Sequence, residues 1–263
     1  MTLSFVLLAL GGLVGGLLSG MLGIGGGIIV VPLLIYLLPG MGIPAELVAP
    51  MAVGTSLATI VVTTASGAYA HHLQKMILWD WVRLIAPLLI VGGVVGSYIG
   101  ASIDPVLLQR IFATVLLILA ARMIWKLQPR AADKRIRRTP VRVWSAGIGV
   151  VSALVGIGGG ALVVPLLHYY QVAMRNAVAV AAACSVLLAI FGTATYAWVG
   201  RAGVDVEWAV GYIYLPALLG IGVVSALVAP LGAKLAQRLP VRYLQRAFAL
   251  LLIVVSIHLF VTT

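Results

Sequence analysis

Long apolar segments separated by short polar loops run through almost the whole chain. Their hydrophobicity is continuous and does not alternate with a period of two, so it indicates helices and argues against the strands of an outer-membrane barrel. Each longer segment has roughly the 20 residues that a helix needs to cross a hydrocarbon core. These predicted spans cover residues 45–70, 81–101, 105–127, 176–199, 208–231 and 241–261. The pattern therefore predicts an all-α integral membrane protein.

Two nearly identical glycine-rich blocks interrupt this pattern. The first, Gly23–Gly27 (GIGGG), is followed by IIVVPLL, and the second, Gly156–Gly160 (GIGGG), is followed by ALVVPLL 133 residues later. Glycine destabilises a helix interior by about 1 kcal/mol relative to alanine, so consecutive glycines predict a break. The apolar pieces that follow, 28–38 and 161–170, are too short to cross a membrane. Each block is therefore predicted to break a helix.

The correspondence extends beyond these blocks, so each half of the chain repeats the other. Matched positions include Ser19 with Ser152, Thr55-Ser56 with Cys184-Ser185, Asp80-Trp81 with Glu207-Trp208, and Tyr69 with Tyr196. The two tyrosines suit interfacial anchors. We therefore divide the chain into a first membrane repeat (1–127), a basic linker (128–142) and a second membrane repeat (143–263).

The positions of the basic residues predict the topology. If each glycine-broken helix pair dips into the membrane and returns to the same side, each half has three full crossings and the two repeats are inverted. With the linker in the cytoplasm, the outside then holds only Arg110 and Arg201. The inside holds Lys75, Arg83, Arg122, Lys126, Arg130, Lys134, Arg135, Arg137, Arg138, Arg142, Arg175, Lys234, Arg238, Arg242 and Arg246. The positive-inside rule favours this arrangement, with both termini in the periplasm, over parallel repeats in which the broken pairs cross the membrane.

Composition supports the membrane assignment and argues against several other kinds of protein and site. The chain is 63% hydrophobic and 9% charged, whereas soluble domains carry about 25% charged residues. The net charge of +11 lies in loops and helix ends, so we do not expect nucleic-acid binding. Cys184 is the single cysteine, which excludes an intramolecular disulfide and a cysteine-based zinc site. We predict no metal and no cofactor, and we expect residues 1–20 to remain in the mature protein.

The glycine breaks suggest an anion site. A short helix that starts at a glycine leaves its first amide groups unpaired and carries a partial positive charge, and glycine lets a ligand approach the backbone. No Lys, Arg, Asp or Glu occurs in the middle of any span, so backbone amides and hydroxyls are the available ligands. The candidate substrate-binding residues are Gly25, Gly26, Gly27, Gly158, Gly159, Gly160, Thr55, Ser56, Cys184 and Ser185. Pro32 and Pro165 are expected to shape the short helices.

Simpler explanations exist for each feature taken alone. Glycine runs in membrane helices often serve close packing. Serine and threonine in mid-span usually bond to their own helix. Thr59, one turn after Thr55, is expected to lie on the same face of its helix. Cys184 on its own is typical of a small buried packing residue. The paired placement in both repeats favours a shared site.

The two GIGGG blocks, each followed by a Pro-Leu-Leu sequence, together with the two-half organisation and the basic middle loop, resemble the sulfite exporter TauE/SafE family. The resemblance covers essentially the whole chain. It implies carriage of sulfur-containing anions, such as sulfite or organosulfonates, across the bacterial inner membrane. It also implies that Gly25–Gly27 and Gly158–Gly160 belong to the transport path.

These observations lead to three functional hypotheses, of which the first two are not enzymes. The first is a secondary transporter that exports a small sulfur oxyanion by alternating access, with protons or the membrane potential as the driving force. The second is an anion channel that uses the same site. The third is a membrane protein of sulfur transfer with Cys184 as nucleophile, although its span holds no base.

Overall fold

The chain is almost entirely helical. The computed structural model describes residues 2–22, 25–124, 138–236 and 241–262. Within these residues, the helices are α1 (Thr2–Leu22), α2 (Gly27–Leu37), α3 (Ala45–Leu73), α4 (Trp79–Ser102), α5 (Pro105–Ile124), α6 (Arg138–Val155), α7 (Gly160–Tyr169), α8 (Met174–Val199), α9 (Leu215–Ala236) and α10 (Val241–Thr262). Short 3-10 turns span Pro39–Met41 and Gly200–Ala202, and a small hairpin pairs β1 (Ala209–Val210) with β2 (Ile213–Tyr214).

The predicted membrane helices are largely confirmed. Four helices are long and apolar enough to cross a membrane: Ala45–Leu73, Trp79–Ser102, Met174–Val199 and Leu215–Gly232. The predicted spans at 105–127 and 241–261 correspond to α5 and α10, which have 20 and 22 residues. The short helices after the glycine blocks have 11 and 10 residues, close to the predicted lengths.

The predicted start of one membrane span was wrong. The span expected at 208–231 begins only at Leu215, because residues 209–214 form the β-hairpin before α9. The division into two repeats and a 128–142 linker stays a prediction: residues 128–137 lie outside the described part of the chain, and α6 begins at Arg138.

The first broken pair forms a helical hairpin. A β-carbon built on Gly26 would lie 3.5 Å from the Ser19 Cβ, one on Gly15 would lie 3.8 Å from Val30, and one on Gly11 would collide with Leu33. Positions later in α2 thus contact positions earlier in α1. The two helices therefore run antiparallel, and the glycines of α1 let α2 approach closely.

Helices of one half pack against helices of the other. The most extensive contacts join α1 with α9, α4 with α6, α3 with α8, α4 with α8, and α5 with α10. Two buried serines bond across these contacts: Ser225 donates to the Gly12 carbonyl at 2.8 Å, and Ser256 donates to the Ala113 carbonyl at 2.7 Å. Because hydroxyls in lipid must find acceptors within the protein, these bonds help to hold the helices together.

The centre of the bundle is formed by α3 and α8. Of the apolar stretch in each span, 83% of the residues are buried in α3 and 61% in α8, against 44% in α4 and 33% in α9. Residues such as Val91, Leu219 and Leu227 face outward with more than half of their surface exposed, as lipid-facing positions require. The two helices that carry Ser56 and Ser185 are therefore enclosed by the rest of the fold.

Candidate functional site

Both glycine blocks form the start of a short helix in the same way. Gly26 precedes α2 with φ of 75°, and Gly159 precedes α7 with φ of 85°. A residue with a side chain pays roughly 1–2 kcal/mol to adopt this left-handed conformation, whereas glycine adopts it freely. The backbone turn therefore favours glycine at these two positions.

The two glycine tips meet in the protein interior. A β-carbon on Gly27 would collide with the carbonyl oxygen of Gly156, so the first tip contacts the second directly. Ser56 on α3 donates a hydrogen bond to that same carbonyl at 2.9 Å. Ile60, one turn further along α3, would lie 3.4 Å from a β-carbon on Gly25 and 2.8 Å from one on Gly158. The tips are thus held together by α3.

Each short helix begins with amide groups that have no acceptor within the helix. In α7 the first bonded amides are those of Leu162 and Val163, which donate to the Gly159 carbonyl at 3.0 and 2.9 Å. In α2 the amides of Ile29 and Val30 donate to the Gly26 carbonyl at 3.0 and 3.2 Å. Amides that precede these in each helix have no intrahelical acceptor. With the helix dipole, they give each tip a partial positive charge.

Two serines add hydroxyl groups at the start of α7. The Oγ atoms of Ser152 and Ser185 would lie 3.9 and 4.0 Å from a β-carbon on Gly159. Both side chains are buried, and neither hydroxyl has a hydrogen-bond partner within the described residues. A buried hydroxyl without a partner costs about 1–3 kcal/mol. Two such groups beside a helix N-terminus form a set of unused donors directed at one place.

The predicted pairs Thr55-Ser56 and Cys184-Ser185 divide in the structure. Ser56 and Ser185 lie at the glycine tips, whereas Thr55 accepts a hydrogen bond from the Tyr214 amide of the β-hairpin at 2.9 Å. Cys184 lies in an apolar cluster with residues of α4 and α7. The side chains of consecutive residues in a helix point about 100° apart. Ser56 and Ser185 can therefore face the tips while Thr55 and Cys184 face other parts of the protein.

The two prolines lie away from the tips. Pro32 is the sixth residue of α2 and Pro165 the sixth of α7, so each lies one turn past the start of its helix. Pro32 lines a groove of about 710 Å³ between α2, α3, α5 and α10, whose walls are mainly apolar. This groove offers few donors to an oxyanion, and we do not assign the anion to it.

Sequence reasoning missed three residues of this site. Ser19 and Ser152 lie beside Gly26 and Gly159, and their 133-residue spacing matched that of the glycine blocks. This shared spacing could have identified both serines as candidate site residues. Ile60 lies between Gly25 and Gly158. One isoleucine among many apolar residues of a helix gives no indication in the sequence that it contacts the tips.

Comparisons with known proteins identify a family of membrane transporters. The family profile described as sulfite exporter TauE/SafE matches residues 8–259. A probable membrane transporter protein of Haemophilus influenzae is 38% identical over 262 residues, which cover 98% of each chain. One of Xylella fastidiosa is 31% identical over 261 residues, covering 94% of this chain and 91% of the relative. One of Methanocaldococcus jannaschii is 27% identical over 241 residues, covering 91% and 89%.

No solved structure matches the chain at a significant level. The family match nevertheless spans both glycine blocks and all ten described helices in whole or in part. The four long apolar helices make this a multi-pass membrane protein. The chain belongs to the sulfite exporter TauE/SafE family.

Proposed function

We propose that this membrane transporter is a secondary carrier that exports a small sulfur oxyanion and holds it between the two glycine tips. The observation that carries the proposal is the pair of buried hydroxyls, Ser152 and Ser185, which lack partners within the described residues beside the N-terminus of α7. An oxyanion accepts several hydrogen bonds and would satisfy both hydroxyls and the unpaired amides together.

The chemistry of the tips favours an anion over a cation. The polar groups nearest to Gly159 are the hydroxyls of Ser152 and Ser185 and the first amides of α7, which donate hydrogen bonds, and the helix dipole adds positive potential. A bound cation would call for carboxylates or exposed carbonyls. The described helices carry their acidic side chains at helix ends and in loops, as Glu46, Asp80 and Asp104 illustrate.

The packing of the helices supports two inverted repeats. The antiparallel α1–α2 hairpin suits a pair that enters the membrane and returns to the same side. The contact of α1 with α9 corresponds to that of α6 with α4 when the halves are exchanged. In this proposal each repeat contributes a re-entrant pair and three transmembrane helices, and binding at the interface of the repeats allows alternating access.

The substrate class rests on the family, whose members are described as sulfite exporters. We propose sulfite or an organosulfonate as the exported anion and the bacterial inner membrane as the location. A membrane potential that is negative inside drives an anion outward by about 2.3 kcal/mol per charge at 100 mV. Export therefore needs no further energy source, and proton coupling is one outcome of the flux measurements below.

Purified protein in liposomes should bind and transport sulfur oxyanions in preference to chloride. The panel we propose contains sulfite, sulfate, thiosulfate, sulfoacetate and chloride. We expect saturable uptake and counterflow exchange for at least one sulfur oxyanion, because a site closed by both tips moves its ligand through conformational change. Current that does not saturate would favour a channel, and the absence of any sulfur oxyanion flux would remove the proposed function.

The inverted topology makes a second prediction, which a single exposed glycine tests. Gly203, in the turn before the β-hairpin, has open space around it and lies outside if the repeats are inverted but inside if they are parallel. A Gly203→Cys variant should therefore react with a membrane-impermeant maleimide added to intact cells. Gly40→Cys and Gln74→Cys serve as references, because both models place them outside and inside, respectively. Reaction of Gly203→Cys only after the membrane is opened would support parallel repeats.

A further inference from the structure

A second group of unpartnered hydroxyls lies between α4 and α8, away from the glycine tips. The Ser97 and Tyr196 side chains are fully buried, and their hydroxyls have no hydrogen-bond partner among the described residues. The hydroxyl of Thr193, which is partly buried, is also unpartnered there. Tyr196 is thus not the interfacial anchor that the sequence suggested, although Tyr69 is 64% exposed.

These hydroxyls continue a line that starts at the glycine site. Ser185, Gly192 and Tyr196 are spaced by seven and four residues on α8, which places them on one face of the helix. A β-carbon on Gly192 would lie 3.1 Å from the Ser97 Oγ, and one on Gly100 would collide with the Tyr196 hydroxyl. The line covers eleven residues of α8, or about 17 Å at 1.5 Å per residue.

We call the contact between α4 and α8 that these hydroxyls line the seam, and it is closed at two places. Between Ser185 and Ser97, the Leu188 side chain would lie 3.0 Å from a β-carbon on Gly93 and 3.7 Å from one on Gly159. At the far end, Tyr212 of the β-hairpin meets Tyr196 edge to face, with 6.3 Å between ring centroids. The Tyr212 amide also donates to the Tyr196 carbonyl at 3.3 Å. The hairpin therefore covers the end of the seam.

Packing alone does not explain polar groups at these positions. An unsatisfied buried hydroxyl costs about 1–3 kcal/mol, and phenylalanine or alanine would fill the same space without that cost. The glycines of α4 and α8 also leave little side-chain volume between the helices. Here the hydroxyls have no helix N-terminus beside them, so they would hold an anion less tightly than the glycine site does, which suits a path that the anion must leave.

We propose that the seam between α4 and α8, with the hydroxyls of Ser97 and Tyr196, is the outer part of the anion's route from the glycine site. This inference rests on the proposed function and adds the segment of the path that leads outward. In the inverted topology, α8 runs from the inside at Arg175 to the outside at Arg201, so the line from Ser185 to Tyr196 leads to the periplasm. Opening then requires movement of Leu188 and of the hairpin.

Thiol accessibility tests the route independently of transport. We expect Ser97→Cys to react with an anionic, membrane-impermeant maleimide, and sulfoacetate, which does not consume the reagent, to slow the reaction. Ser145→Cys is the matched control, since Ser145 is equally buried but bonds to the Val141 carbonyl in α6. The wild-type protein with its buried Cys184 sets the background. Reaction of Ser97→Cys no faster than Ser145→Cys would overturn the route, even if the glycine site binds anions.

Removal of the Tyr196 hydroxyl separates the route from the site. Tyr196→Phe should lower the flux of the bound anion about tenfold, the effect of losing one weak hydrogen bond on the path, while equilibrium binding stays within about twofold. Tyr98→Phe is the control, because Tyr98 lies on α4 with 61% of its surface exposed. Unchanged flux in Tyr196→Phe with normal binding would contradict the route but not the glycine site. If the wild-type protein bound no sulfur oxyanion at all, the proposed function itself would be contradicted.

Discussion

Replacing Gly159 by alanine should severely weaken anion binding and transport in a protein that still folds. The added methyl group would lie 3.7 Å from Leu188 and about 4 Å from the hydroxyls of Ser152 and Ser185, so the fold has room for it. It would occupy the place where the anion meets both hydroxyls and the first amides of α7. We expect the affinity for the transported oxyanion to fall at least about a hundredfold, since more than one charge-assisted hydrogen bond is lost.

The backbone strain of this substitution needs its own control. Gly159 has φ of 85°, and an alanine there costs roughly 1–2 kcal/mol whatever surrounds it. Gly42 has nearly the same conformation, with φ of 83°, and lies in an exposed turn with open space around it. Gly42→Ala should show a similar fall in melting temperature with normal binding by calorimetry. Normal binding in Gly159→Ala would refute the anion site at the glycine tips.

The sequence predicted those features that depend on hydrophobic periodicity and on glycine. Four of the six predicted spans and both helix breaks were confirmed, because lipid requires helices and the runs of three glycines interrupt them. The short helices after the breaks also followed from the distance between Gly27 and the turn at Pro39. Such features depend on local sequence, so they need no knowledge of the neighbouring helices.

The contacts between helices were not predictable in this way. The Thr55-Ser56 pair was treated as one unit, yet Ser56 bonds to Gly156 and Thr55 to the Tyr214 amide. The partner of each hydroxyl lies at least 100 residues away in the chain, and only the packing of the halves decides which one faces the tips. The β-hairpin was not predicted, because its residues are as apolar as the start of a membrane helix.

The repeat in sequence does not give two equal sites. Ser56 and Ser185 occupy matched positions on α3 and α8. Ser56, however, has committed its proton to the Gly156 carbonyl, whereas Ser185 has no partner within the described residues. In the described conformation, Ser56 is therefore a positioning residue that holds the second tip, and Ser185 is a free donor. Replacement of each serine by alanine should therefore have opposite effects on stability and on anion affinity.

Ser185→Ala should weaken anion binding without destabilising the empty protein. The hydroxyl satisfies no acceptor in the described structure, so its removal leaves the melting temperature unchanged or raises it. The bound anion, in contrast, loses a charge-assisted hydrogen bond of about 1.5–3 kcal/mol, which corresponds to an affinity roughly 10- to 150-fold lower. The rise in melting temperature that saturating anion gives the wild-type protein should shrink accordingly.

Ser56→Ala is the matched substitution and should show the reverse pattern. It removes the 2.9 Å bond to the Gly156 carbonyl, which leaves a buried acceptor unsatisfied and should cost the empty protein about 1–3 kcal/mol of stability. The affinity should change less than in Ser185→Ala, because the Ser56 proton was not available to the anion. Melting curves of both variants, with and without the transported anion, provide the comparison. Equal losses of stability in the two variants would mean that Ser185 bonds within the protein, and the anion would then have to be bound elsewhere.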